Sequence, residues 1–112
     1  MRVLVTGAAG RLGREVVRAF ADDGPVFGLS RIALNVADRK AVHAAIASCT
    51  PSLVVNCAAW TDVDGCEGDP QRAQRINAAA VGYLREAAEE VGAHLLHVST
   101  DFVFDGKADV PY

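Results

Sequence analysis

The sequence predicts an α/β fold: a parallel sheet wound in both directions, with helices on both faces. Three observations carry this expectation. Short apolar, β-branched runs alternate with longer segments of helical period along the chain. The runs are apolar throughout, rather than at every second position, as in strands covered on both faces. Turns rich in glycine, proline and aspartate separate them, with no repeat, low-complexity stretch or internal linker.

The elements follow in order. "RVLVT" (2–6) is the first strand. "RLGREVVRAFA" (11–21) is a helix with Leu12, Val16 and Phe20 on one stripe and Val17 beside it. "DDGP" turns the chain into a second strand, "VFGLS" (26–30). "IALNV" (32–36) suggests a short extra strand. Residues 37–49 form a helix with Asp38 as N-cap and Val42, Ile46 and Cys49 inward. "SLVVNCAA" (52–59) is the third clear strand. Asp69-Pro70 starts a helix running to about Val91, with Ile76, Ala80, Leu84, Ala87 and Ala88 inward and Gly92 closing it. "HLLHVST" (94–100) is the last strand, so the sheet has about five strands.

Composition excludes several classes. The 112 residues, 51% apolar and 22% charged, suit one small domain or part of a larger one. With net charge −3 and scattered Lys and Arg, the chain lacks a nucleic-acid footprint. No apolar run is long enough to span a membrane, and the N-terminus does not read as a signal peptide. Cys49, Cys57 and Cys66 are odd in number and widely spaced, which suits reduced, partly buried thiols in a cytoplasmic protein and no metal site.

The chemistry starts at "VTGAAGRLGRE". Gly7 lets the chain leave the strand sharply, Gly10 removes a side chain where a pyrophosphate approaches, and Gly13 lets the helix pack closely. The helix N-terminus then presents N–H groups to phosphate. The spacing G-x-x-G-x-x-G is one residue longer than the dinucleotide fingerprint of many dehydrogenases. In this strand–loop–helix context it predicts a dinucleotide site on a Rossmann-type doubly wound parallel sheet. After the second strand stand Ser30 and Arg31 rather than an acidic residue. A neutral Ser and a cationic Arg favour a ribose 2′-phosphate, hence NADPH over NADH.

With "VTGAAGRLG", "VVNCAAWTDVDGCE" and "HVSTDFVFDG" in order, the chain resembles the extended short-chain dehydrogenase/reductases, and among them the dTDP-4-dehydrorhamnose reductases. The resemblance implies a sugar-nucleotide 4-ketoreductase using NADPH, with NADH as second choice, acting on a dTDP-sugar and dimeric as a whole protein. Another sugar-nucleotide ketoreductase, or a cofactor-binding regulatory subunit like that of methionine adenosyltransferase, are the alternatives. It implies that Gly10, Arg11 and Leu12 meet the diphosphate. Ser30 sits at the adenosine ribose, and Asn35 and Val36 at the adenine edge. Ala58, Ala59, Trp60 and Thr61 line the cofactor's ribose side, and Val98 backs the nicotinamide ribose. Thr100 hydrogen-bonds the substrate carbonyl, and Asp101 helps hold substrate. Asn77 reads as a buried structural amide, and His97 as a half-buried strand residue without a catalytic context.

The family's proton donor is the Tyr of Tyr-x-x-x-Lys. Tyr83 is followed four residues on by Ala87, and Tyr112 is the last residue, so the motif does not occur in these 112 residues. The resemblance therefore implies an N-terminal portion of a longer reductase, binding cofactor but not turning over alone. It also implies that the last strand stands as an edge with exposed apolar surface.

Overall fold

The computed structural model describes residues 1–112. The elements are β1 (Val3–Thr6), α1 (Arg11–Phe20), β2 (Val26–Leu29), α2 (Arg39–Cys49), β3 (Leu53–Asn56), α3 (Val63–Gly68), α4 (Pro70–Gln74), a π-helical turn (Arg75–Ala79), α5 (Ala80–Val91), β4 (His94–His97) and a 3-10 turn (Asp101–Val103). All strand pairs are parallel, in the order β2-β1-β3-β4. β1 is the hub. Val3 pairs with Val26 on one side and Leu53 on the other, and all four β1 residues are wholly buried.

Alternation along β1 feeds two cores. Val3, Val5 and Val55 face Val16, Val17 and Phe20 of α1. Leu4 and Val54 face the opposite way, onto Val42, Ile46 and Leu84 of α2 and α5. Burying side chains of this size stabilises by roughly 1.5–3 kcal/mol each. The chain passes from β1 to β2 in one direction and from β2 to β3 in the other. Right-handed crossovers then require α1 and α2 on opposite faces, as observed. β3 to β4 continues the second direction, and α5 packs beside α2. No helix is long and apolar enough to cross a membrane.

The predicted caps form. Asp38 accepts from the Ala41 amide, Asp69 from the Arg72 amide with Pro70 at the first helical position, and Gly92 closes α5 at φ +73°.

The structure departs from the sequence reading in four places. Residues 32–36 are not a strand, so the sheet has four strands rather than about five. Ser30 turns that segment instead, its carbonyl accepting from Leu34 N and its Oγ from Ala33 N. Leu34 and Val36 are apolar because this loop packs into the core. The helix expected over 70–91 is broken by the π turn, and Val63–Gly68, capped by Asp62, adds a helix. Leu12 lies exposed rather than on the buried stripe of α1. His97 is exposed rather than half-buried.

Candidate functional site

Because all strands run the same way, the loops after β1, β2, β3 and β4 emerge at one edge of the sheet. Strand order reverses between β1 and β3, the place where open α/β sheets collect ligands. Here a cleft of about 730 Å³ opens.

The first wall is the glycine loop. Gly7 adopts φ +62°, and a Cβ there would meet the Cys57 carbonyl group and the Ala58 amide nitrogen at 2.8 Å. A Cβ on Gly13 would sit 2.1 Å from the Gly7 carbonyl oxygen, so α1 is seated directly on the loop. Gly10 caps α1 without a side-chain bond. The amides of Arg11, Leu12 and Gly13 have no protein acceptor. They are the orphan donors that make a helix start an anion site.

Behind the cleft a polar chain runs across the strand ends, buried at Thr6 and Asn56 and open to solvent at His97. Thr6, Asn56 and His97 are register partners on β1, β3 and β4. Thr6 Oγ1 donates to Asn56 Oδ1 at 2.6 Å, and the Ala58 amide donates to the same oxygen at 3.1 Å. Two donors on Oδ1 fix the amide's orientation, so Asn56 Nδ2 donates to His97 Nδ1 at 3.0 Å. His97 thus carries its proton on Nε2. Cys57, next to Asn56, lines the cleft, and burial pushes its thiol above the ordinary value. It is a packing residue rather than a thiolate nucleophile.

The far wall is Trp60 and the helical arm after it. Asn77, in the π turn, accepts from the Trp60 amide at 2.8 Å and donates to the Trp60 carbonyl at 2.9 Å. The Arg72 guanidinium lies 4.2 Å from the Trp60 ring centroid. Asn77 is therefore a structural amide as expected, but an exposed one whose partner is the Trp60 main chain.

The cleft gathers Gly7, Gly10, Ser30, Arg31, Asn35, Val36, Ala58, Ala59 and Trp60 of the expected cofactor residues. Asn35 Oδ1 accepts from the Ala37 amide at 3.0 Å, which ties the oxygen expected at the adenine edge into the loop. Arg11, Leu12, Gly13, Thr61 and Val98 do not line the cleft. Gly13 is buried beneath the loop, and Val98 extends the β4 pairing by donating to the Asn56 carbonyl. Thr100 and Asp101 lie outside the cleft as well. Thr100 Oγ1 accepts from the Phe102 amide, capping the 3-10 turn, and Asp101 borders a separate hollow with Phe102, Phe104 and Tyr112.

Arg72, Arg75 and Ile76 line the cleft without having been expected there. In the sequence, the 70–91 segment draws attention to its buried stripe, and cleft-facing residues fall off that stripe. The one available signal is a pair of arginines three apart on a helix that follows a cleft aromatic.

Fold and cleft together define an open α/β domain of the Rossmann type. The chain belongs to the family described as RmlD substrate binding domain, which matches residues 1–112. It is 46% identical over 112 residues to a dTDP-4-dehydrorhamnose reductase of Streptomyces griseus, covering 99% of this chain and 37% of that protein. It is 47% identical over 114 residues to a probable dTDP-4,6-dihydroxy-2-methyloxan-3-one 4-ketoreductase of Streptomyces antibioticus, covering 100% of this chain and 39% of that one. Among solved structures, the dTDP-4-dehydrorhamnose reductase of Bacillus anthracis in complex with NADP superposes with a TM-score of 0.90 at 30% identity, over 96% of this chain and 39% of that one. The chain thus spans about two-fifths of the length of these relatives.

Proposed function

We propose that this chain is the cofactor-binding portion of an NADPH-dependent reductase that converts dTDP-4-dehydro-6-deoxy-L-mannose to dTDP-L-rhamnose. The observation that carries the reading is the loop at Gly7–Gly13. Its main chain approaches so closely that side chains are excluded at Gly7 and Gly13, and three unpaired amides open beside a cleft of dinucleotide size. Those features fit the dinucleotide, and the relatives' names supply the substrate class.

When bound, NADPH supplies a hydride to the ketone carbon. The protein's part is placement. The amides of Arg11, Leu12 and Gly13 hold the diphosphate. Ser30 leaves the ribose 2′ position free of carboxylate repulsion, and Arg31 meets the 2′-phosphate. Ala58, Ala59, Thr61 and Val98 shape the ribose side. The Thr100 hydroxyl hydrogen-bonds the substrate carbonyl, and Asp101 holds substrate; both act on a ligand reaching past β4. The proton for the developing alkoxide requires a general acid, worth ~10²–10⁴-fold. No Tyr-x-x-x-Lys occurs in these residues, so they bind without turning over. The three free cysteines fit a reducing, cytoplasmic setting.

The test is a calorimetric titration of this chain with NADPH and with NADH. Tighter NADPH binding, with that preference lost in Arg31→Ala, is the expected result. Absence of binding by either nucleotide overturns the reading, and equal affinity overturns the 2′-phosphate assignment.

A further inference from the structure

The arginines of this chain divide into two groups. Six of the nine are tied down: Arg2 and Arg14 to main-chain carbonyls, Arg18, Arg39 and Arg85 to glutamates, and Arg72 against the Trp60 ring. Arg11, Arg31 and Arg75 have no hydrogen bond, ion pair or aromatic partner. Arg11 opens α1 at the glycine loop, and Arg31 and Arg75 line the cleft. No Asp or Glu lines that cleft, although the chain as a whole is acidic at −3. Uncompensated cations gathered around a carboxylate-free hollow form a site for a polyanion.

Arg75 is the member that no motif assigns. We propose that Arg75 is a phosphate-gripping residue of the cleft, holding the dinucleotide from the wall that follows β3. The proposal rests on the dinucleotide reading above. Its own support is threefold. The residues one turn away on the same helix, Gln71, Arg72, Ala78 and Ala79, include no carboxylate that could neutralise it. Its platform is fixed on both sides, by Arg72 stacked on Trp60 and by Asn77 bonded twice to the Trp60 main chain. A guanidinium carried on a held backbone offers a planar fork to phosphate oxygens.

The experiment is titration of the 112-residue chain with NADPH, with phosphate-free adenosine as a second probe. Arg75→Ala and Arg75→Gln are compared with wild type and with Arg85→Ala, which removes a charge from α5 outside the cleft. The expected result is that both Arg75 variants bind NADPH about tenfold more weakly, the scale of a lost charge-assisted contact. Adenosine affinity and the thermal transition stay at wild-type values, and Arg85→Ala stays near wild type for both probes. Wild-type NADPH affinity in the Arg75 variants overturns the proposal. So does equal weakening toward adenosine, which means wall collapse or base stacking, and so does an equal loss in Arg85→Ala, which means net charge alone. Failure of the unaltered chain to bind NADPH refutes the dinucleotide reading itself and this proposal with it.

Discussion

At the residue scale, the site depends on atoms that are missing from side chains. At Gly13 a methyl group has nowhere to go: its neighbours within 2.8 Å are all backbone atoms of Gly7 and Ala8. A flexible side chain could swing away from the intrusion, but backbone cannot, so Gly13→Ala must push the loop off α1. Overpacking of this kind costs ~1–3 kcal/mol. The variant is expected to unfold at lower denaturant concentration and to lose NADPH binding. Gly82→Ala is the matched control, since nothing lies within 4 Å of a Cβ in that position of α5. It is expected to gain up to ~1 kcal/mol from helix propensity. Denaturant melts of both variants decide the matter, and an unchanged midpoint in Gly13→Ala contradicts this account of the loop. Gly7 and Gly13 were legible in the sequence because steric exclusion leaves only one residue type. Asn77 and His97 were less so, because an amide or imidazole records nothing about which partner it meets.

At the element scale, α2 and α5 are joined at the surface by a charged cluster. Arg39 Nε donates to Glu86 Oε2 at 3.0 Å, and His43 Nε2 lies 3.4 Å from the same oxygen. His43 Nδ1 is 3.1 Å from Glu90. The Arg39 hydrogen bond, aided by its charge and by His43, holds the Glu86 carboxyl below the usual carboxylate range. The folded chain therefore binds fewer protons than the unfolded chain as the medium is acidified. The stabilisation is complete above the ordinary carboxylate range and is lost as pH falls through the lowered folded value. Glu86→Gln is expected to show a lower urea midpoint than wild type at neutral pH, with the gap closing in that acid window. A gap independent of pH would assign the effect to packing. The exposed setting keeps the effect small. Helices of this kind were readable where caps and inward stripes agree, as at Asp38, Asp69 and Gly92. The π turn at Arg75–Ala79 was not, because its period differs from 3.6 only locally and it carries the Asn77–Trp60 latch, a contact outside the helix's own period. Arg72 and Arg75 escaped notice because they fall off the buried stripe of the same segment.

At the scale of the whole molecule, the sheet is covered unevenly. On one face α2 and α5 span β1, β3 and β4, with Leu95 packed inward. On the other, α1 contacts β1 and β2, while Leu96 and Val98 beyond them remain 50% and 42% exposed. β4 pairs only with β3, and Phe102, Val103 and Phe104 follow it with exposed side chains. The accessible surface is 7329 Å² for 11.8 kDa, roughly 1,400 Å² more than a compact monomer of that mass exposes. That excess is larger than the roughly 800 Å² that one partner contributes to a standard protein interface. An unpaired, apolar strand edge beside uncovered apolar side chains templates association. The isolated chain is therefore expected to self-associate, its sedimentation coefficient rising with concentration and a hydrophobic dye binding at the β4 face. Leu96→Lys places a charge at the centre of that face without touching the Leu4–Leu84 core. It is expected to shift the population toward monomer while leaving the melting transition in place. A wild-type chain that sediments as a single monomeric species at all concentrations means that the β4 face is tolerated in water, and that the excess surface belongs to extended loops rather than to an unmet interface.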